Sequence, residues 1–309
     1  MLRLTRAEAI LLSVSALLVS WLWIAEAIGH ARIAWSTFTL TFVLFGGIAG
    51  FGLLMRVRNV APRWQATLVM VGLYLTFGSL MSLSTMTAFP LQRPLIDDFL
   101  FRIDAMIGFD WQKAVHWQAQ YPTLSWVLAQ LYKSSIIQIM LLFVLLGLTR
   151  PESQLGRLAL TGMYASLLTV GFWVVFPSFG PSAYIVIEAE TRDAASLVVT
   201  SEYGAYLQNL ARNGLPTIQA HEVLGTVAFP SYHMFMAILT VWFARATLLF
   251  WPAVAVNVPV VWATLTHGGH HLFDLVGGVL VFAAALALAG RSLRAPAPGN
   301  KQQTRPVAA

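Results

Sequence analysis

Apolar residues run along this chain in long unbroken stretches, joined by short polar segments in which arginine predominates. About twenty consecutive apolar residues are what a helix needs to cross a bilayer. Eight such stretches recur, near 8–29, 35–55, 65–88, 124–149, 155–177, 231–250, 252–267 and 269–290. None shows the short alternating segments of a barrel, so the pattern predicts an all-α polytopic membrane helix bundle with about eight transmembrane helices. The first stretch follows Arg3 and Arg6 as a signal sequence would, but its apolar part runs on through Trp23, and it is expected to be a retained span.

Two long segments break the alternation of spans and short joints, at 89–123 and 178–230. In the first, Leu95, Phe99, Ile103 and Ile107 recur at helical spacing with Asp97, Asp98, Arg102 and Asp104 between them, the pattern of an interfacial helix. Asp110-Trp111 then starts a second short one. The segment 178–230 is mixed in character and is expected to fold over the mouth of the bundle. The proline-rich tail from about Ala295 has the composition of a disordered end.

Composition sharpens this picture without changing it. The chain is 58% hydrophobic and 10% charged, against about a quarter charged in soluble domains. It has no cysteine, which removes disulfides and thiolate metal sites. The net charge of +6 would suit an anionic partner. It is better explained by arginines in the joints that face the cytoplasm, so no nucleic-acid partner is expected. Arg3, Arg6, Arg56, Arg58, Arg63, Arg150, Arg157, Arg245, Arg291 and Arg294 share one side, while nine carboxylates from Asp97 to Glu222 fall on the other. The basic side is expected to be cytoplasmic, with both termini inside and the two long segments outside.

The candidate chemistry gathers at two span entrances on that outer side. "THGGHHLFD" at 266–274 opens the eighth span, and "FPSYHMFMA" at 229–237 opens the sixth. His270 and Asp274 are four apart and stack on one helical face, whereas His271 points elsewhere. Glycines beside unpaired helix-start amides suit an oxyanion or phosphate. Ser231 and His233 begin the sixth span, with Pro230 placed to open its helix. Three chemistries fit. His-x-x-His-His at 267–271 is literally a box of membrane di-iron enzymes, which would imply a metal-dependent oxidoreductase. The polar groups can equally be helix-end decoration in a non-catalytic membrane protein or transporter. The third is phosphoryl transfer through a histidine.

"PSYH" and "HHLFD" resemble the second and third signature motifs, Pro-Ser-x-His and His-x-x-x-Asp, of the type 2 phosphatidic acid phosphatase superfamily. "ARNG", "GTVAFPSYH" and "GGHHLFDLVGG" are similar to the branch that includes inositol phosphorylceramide synthase. The resemblance implies two extra N-terminal spans over 1–64, a six-span phosphatase/phosphotransferase-like core over 65–290, and a cytoplasmic tail over 291–309. The family's first motif, a lysine and an Arg-Pro pair, has no counterpart in "GFWVVFPSFGPS" at 171–182.

What the resemblance implies is an integral membrane lipid phosphatase or phosphotransferase working at the outer face of a bacterial inner membrane. His270 would be the nucleophile, Asp274 its orienting carboxylate and His233 the general acid and base. Ser231, Gly269 and the helix-start amides would cradle phosphate oxygens, with Tyr132 adding a hydroxyl. Arg212 in "ARNG" and Lys133 in the fourth span are the candidate cations. No metal or other cofactor is required. The expected partners are membrane lipids, a lipid phosphate substrate and a polyol or lipid alcohol acceptor, with water and alcohol left open as acceptors.

Overall fold

The computed structural model describes residues 3–223 and 225–294. It is an all-helical bundle. Among the described residues five helices are long and apolar enough to cross a membrane: α1 (Arg6–Ala27), α2 (Trp35–Val57), α3 (Pro62–Met86), α8 (Glu152–Val175) and α13 (Leu272–Leu293). The stretch expected as a fourth single span is instead two helices, α6 (Pro122–Lys133) and α7 (Ser135–Thr149), that meet at a bend of 48°. The cause is local. The Ser134 hydroxyl donates to the Leu131 carbonyl at 2.7 Å and that of Ser135 to Tyr132 at 2.9 Å, competing for carbonyls at the joint. The stretch 231–250 is likewise no continuous span: α11 (Tyr232–Ala244) stops after 13 residues, and α12 (Phe250–Thr266) starts after an irregular joint. The tail expected from 291 starts later, since α13 holds its helical course to Leu293; the rest of that segment, 295–309, lies outside the described residues.

Between α3 and α6 lie α4 (Asp97–Met106) and α5 (Trp111–Ala119), the two short helices the spacing predicts. Their orientation has a second consequence. Phe99, Met106 and Ile107 are exposed, as an interfacial stripe should be, while Asp97, Leu100 and Asp104 are buried in the protein. The acidic face of α4 is therefore an inner face.

The segment after α8 covers one end of the bundle with α9 (Ala189–Ala194) and α10 (Ser201–Asn213). Backbone bonds fasten it. Ile218 donates to Arg32 at 2.8 Å and its carbonyl accepts from Ala34 at 3.0 Å, while Leu91 donates to Ala211 at 2.8 Å. The joint between α1 and α2 and the segment after α3 thus hold the cover.

At the opposite end, Glu8 is fully buried and Arg56 grips it with two nitrogens, at 2.7 and 2.9 Å. Glu152 of α8 is 3.7 Å from the same guanidinium. Thr5 and Glu8 form the capping box of α1. A buried carboxylate is tolerable only with such a partner, so this ion pair pins α1 to α2 and to the core. Farther along, a Cβ on Gly72 would collide with the Ala49 backbone, and so glycine there lets α2 and α3 touch.

Candidate active site

The starts of α11 and α13 are tied level with each other. The Ser231 amide donates to the Asp274 carbonyl at 3.0 Å, and the Ser231 hydroxyl caps α11 by accepting from the Met234 amide at 3.3 Å. A Cβ on Gly278 would lie 2.6 Å from the Ser231 carbonyl, so this glycine of α13 is what lets the α11 entrance sit so close. The turn 267–271 lies outside both α12 and α13. Gly269 takes φ +63° there, a left-handed conformation that favours glycine. Its position packs against Ser182, and a Cβ on Gly180 would in turn strike the Gly269 carbonyl, so the two turns fit only as glycines.

In this frame His270 Nδ1 is 2.9 Å from Asp274 Oδ2. The carboxylate also accepts the His271 amide at 3.0 Å on the same oxygen. Because the carboxylate is the acceptor, Nδ1 carries the proton and Nε2 is the free nitrogen of the ring. Asp274 is fully buried and His270 is 4% exposed, so neither side chain is open to bulk water. His233, one residue into α11, has its ring centroid 6.5 Å from that of His270 at an interplanar angle of 61°. Tyr132 stacks on His233 at 4.0 Å and 18°, holding the ring in place. All three of these residues line one cavity of about 820 Å³, which runs from the histidines between α2, α3, α7 and α8 under the 178–230 cover.

The structure does not bring the two candidate cations to this pair. Lys133 directly follows Tyr132, and one residue is about 100° around a helix. With Tyr132 facing the cavity, Lys133 is exposed and lines a separate depression with Arg192. Arg212 is on the exposed side of α10, where its Nε donates to the Gln208 carbonyl at 3.1 Å. Among the described residues no lysine or arginine lines the histidine cavity.

Three groups outside the expected set turn out to frame the site. His271 is fully buried, its Nδ1 2.8 Å from Asp104 Oδ2 and its Nε2 3.6 Å from Asp97 Oδ1. Burial disfavours the imidazolium, yet the hydrogen bond to Asp104 and the nearby Asp97 carboxylate prevail and raise its pKa to about 9. Asp104 also accepts the Leu272 amide at 3.1 Å, and Asp97 accepts those of Gly180 at 2.7 Å and Phe179 at 3.0 Å. The inner face of α4 therefore joins the two glycine turns to the start of α13. Sequence reasoning missed it because the apolar stripe drew attention to the other face; the seven-residue spacing of Asp97 and Asp104 was the available signal. Gln118 of α5 is the third group. Its amide nitrogen is 3.0 Å from His267 Nε2, and its oxygen accepts from Thr266 at 2.8 Å and Trp262 at 3.0 Å. His267 therefore accepts at Nε2 and gives its Nδ1 proton to the Ser196 carbonyl, 3.1 Å away. Burial lowers its pKa to about 4.

The di-iron box therefore comes apart in space. His267, His270 and His271 are each committed to different partners, and Asp97 and Asp104 meet opposite nitrogens of one ring. Among the described residues no group of three or more such side chains is arranged to hold a metal ion.

A helical membrane bundle with a histidine pair and a buried orienting aspartate at one mouth has the makings of a histidine-based phosphoryl-transfer site. A model of the PAP2 superfamily matches residues 98–288, and the chain belongs to that superfamily. The match begins in α4 and ends in α13, leaving α1 to α3 outside it. Superfamily members are generally phosphoesterases, and membership suggests a phosphatase-type lipid phosphatase or phosphotransferase. No curated protein and no solved structure matches it.

Proposed function

We propose that this protein transfers the phosphoryl group of a membrane lipid phosphate through a phosphohistidine intermediate. His270 Nε2 attacks phosphorus; the N–P bond forms as the bond to the leaving alcohol breaks. Asp274 keeps the proton on Nδ1 and stabilises the cation that develops on the ring. His233 protonates the leaving oxygen, then takes the proton of the incoming water or alcohol as that oxygen displaces the phosphoryl group from His270. The observation that carries this reading is the placement of a carboxylate-oriented His270 and His233 across one cavity, ring centroids 6.5 Å apart. That gap suits a phosphorus with a near-attack contact of about 3–3.5 Å on the nucleophile side.

The amides at the start of α11, the Ser231 hydroxyl and the turn at Gly269 supply donors for the phosphate oxygens, since the first amides of α13 are already given to Asp274 and Asp104. Tyr132 acts mainly as the stacking support of His233. The scheme leaves Arg212 and Lys133 unused. The basic residues that gather at the other end of the bundle, including Arg56, Arg63 and Arg294, support an orientation with that end in the cytoplasm and the histidines at the outer face. A bacterial inner membrane fits this orientation.

The test is turnover by purified protein in EDTA, offered a panel of lipid phosphates. Wild type should release phosphate or form a new phosphorylated product. His270→Ala and His233→Ala should each lose on the order of 10²–10⁴-fold. Equal turnover in all three would remove the scheme.

A further inference from the structure

The cavity is far larger than a phosphate group, and its walls away from the histidines have a distinct chemistry. Thr169 of α8 and Thr226 of the cover both line it, 2% and 4% exposed, and among the described residues neither hydroxyl has a hydrogen-bond partner. For Thr169 this is a departure from the protein's own habit. Thr67, Thr76, Thr85, Thr161, Thr240 and Thr264 each donate to the carbonyl one helical turn back, at 2.7–2.9 Å. Thr169 has the same carbonyl within reach of its turn and does not use it. A buried hydroxyl without a partner is unfavourable, so two of them in one cavity wall mark a place where a ligand completes the bonding.

The chemistry of that ligand follows from the rest of the lining. Beside Thr169, the Ser166 hydroxyl pairs with that of Tyr232 at 2.9 Å, and Tyr232 directly precedes His233. Among the described residues no Asp, Glu, Lys or Arg lines the cavity, while Phe38, Phe77 and Met140 give it apolar walls. Neutral hydroxyls set in apolar walls next to an acid–base histidine match an uncharged alcohol. We infer that Thr169 and Thr226 form the acceptor subsite of a phosphotransferase, hydrogen-bonding the hydroxyl end of a neutral alcohol that takes the phosphoryl group in place of water. The inference rests on the proposed phosphohistidine scheme. In the second half-reaction the alcohol oxygen forms a bond to phosphorus as the Nε2–P bond breaks, and the alcohol proton passes to His233.

Two sources of that alcohol share this chemistry, a lipid alcohol and a soluble polyol. The cavity reaches the surface beside Ser82 of α3 and Ile136 of α7, the latter 62% exposed. The experiment separates them by using dioctanoylglycerol and glycerol as probes with the full chain in phosphatidylcholine nanodiscs. Binding is read first, as the rise in unfolding temperature with each probe, in wild type, Thr169→Val, Thr226→Val and Thr169→Ser. At least one probe should stabilise wild type. Each valine variant should bind it roughly five- to tenfold more weakly, and Thr169→Ser should restore affinity. Transfer is read second, as the ratio of phosphorylated probe to free phosphate from the lipid phosphate that wild type cleaves. That ratio should exceed one in wild type and fall at least fivefold in the valine variants. Probe binding unaffected by both valine substitutions, no binding by either probe, or donor cleavage that yields free phosphate alone would overturn the subsite. If probes bind with the expected Thr169 and Thr226 dependence but no donor is cleaved, the phosphohistidine scheme fails and the subsite is retained as a binding site.

Discussion

His270 Nδ1 and Asp274 Oδ2 are 2.9 Å apart across the start of α13, and both side chains are buried. The carboxylate decides which nitrogen of the ring is free. Asp274→Asn presents an amide in its place, which can donate to Nδ1 and force the proton onto Nε2, the nitrogen the scheme needs as nucleophile. The expected outcome is a fall in kcat on the order of 10²–10⁴-fold, with KM for the lipid phosphate little changed. Turnover within threefold of wild type would show that the aspartate serves only to cap α13.

The cations named by sequence make the opposite prediction. Lys133 and Arg212 are exposed and directed away from the histidine cavity. Lys133→Ala and Arg212→Ala should each keep kcat/KM within about threefold, since each removes a solvated charge and no contact to the reacting centre. A hundredfold loss in either would mean that the cover closes over substrate and carries that charge inward.

Stability should peak near neutral pH and fall on both sides. The pKa of His271 is raised from an ordinary 6.5 to about 9, against burial, by Asp104 and Asp97. Its protonated form stabilises the fold fully below pH 6.5, and that contribution is lost as pH rises through 9. The pKa of His267 is lowered from 6.5 to about 4, mainly by burial. Its neutral form is favoured above pH 6.5, and stability is lost as pH falls through 4. Unfolding temperature in nanodiscs should therefore be highest around pH 6.5, with the alkaline limb flattened in Asp104→Asn. An alkaline limb unchanged in that variant would contradict the charged state of His271.

The N-terminal helices depend on one buried pair. Arg56→Ala leaves Glu8 as an uncompensated buried carboxylate, a loss of about 3–5 kcal/mol. It should show as earlier unfolding of the detergent-solubilised protein, and Glu8→Gln in the same chain should recover part of the loss by removing the charge. Arg56→Ala unfolding at the wild-type midpoint would mean that α1 is held by packing alone.

Much of this was legible because the governing signals are local. A run of apolar residues reports a membrane helix by itself, and His270 meets Asp274 from four letters away, although it does so from the turn before α13 and not from the helix face the spacing suggests. The bend between α6 and α7 was hidden because its cause, two serine hydroxyls, is slight beside the hydropathy of the stretch. Asp97, Asp104 and Gln118 were hidden for a different reason. Each meets its histidine from more than a hundred positions away, so nothing in its own neighbourhood distinguishes it from a solvated side chain. Lys133 was misleading in the same local way. Its charge inside an apolar stretch pointed to function, but the angular step from Tyr132 turns it outward.

The most direct measurement is a rapid acid-free quench after mixing the protein with lipid phosphate labelled on phosphorus, followed by counting label on the chain and testing its acid lability. Wild type should carry acid-labile label on His270. His270→Ala should carry none. Label that persists in His270→Ala, or turnover by wild type with no labelled chain at any time, would contradict attack by His270.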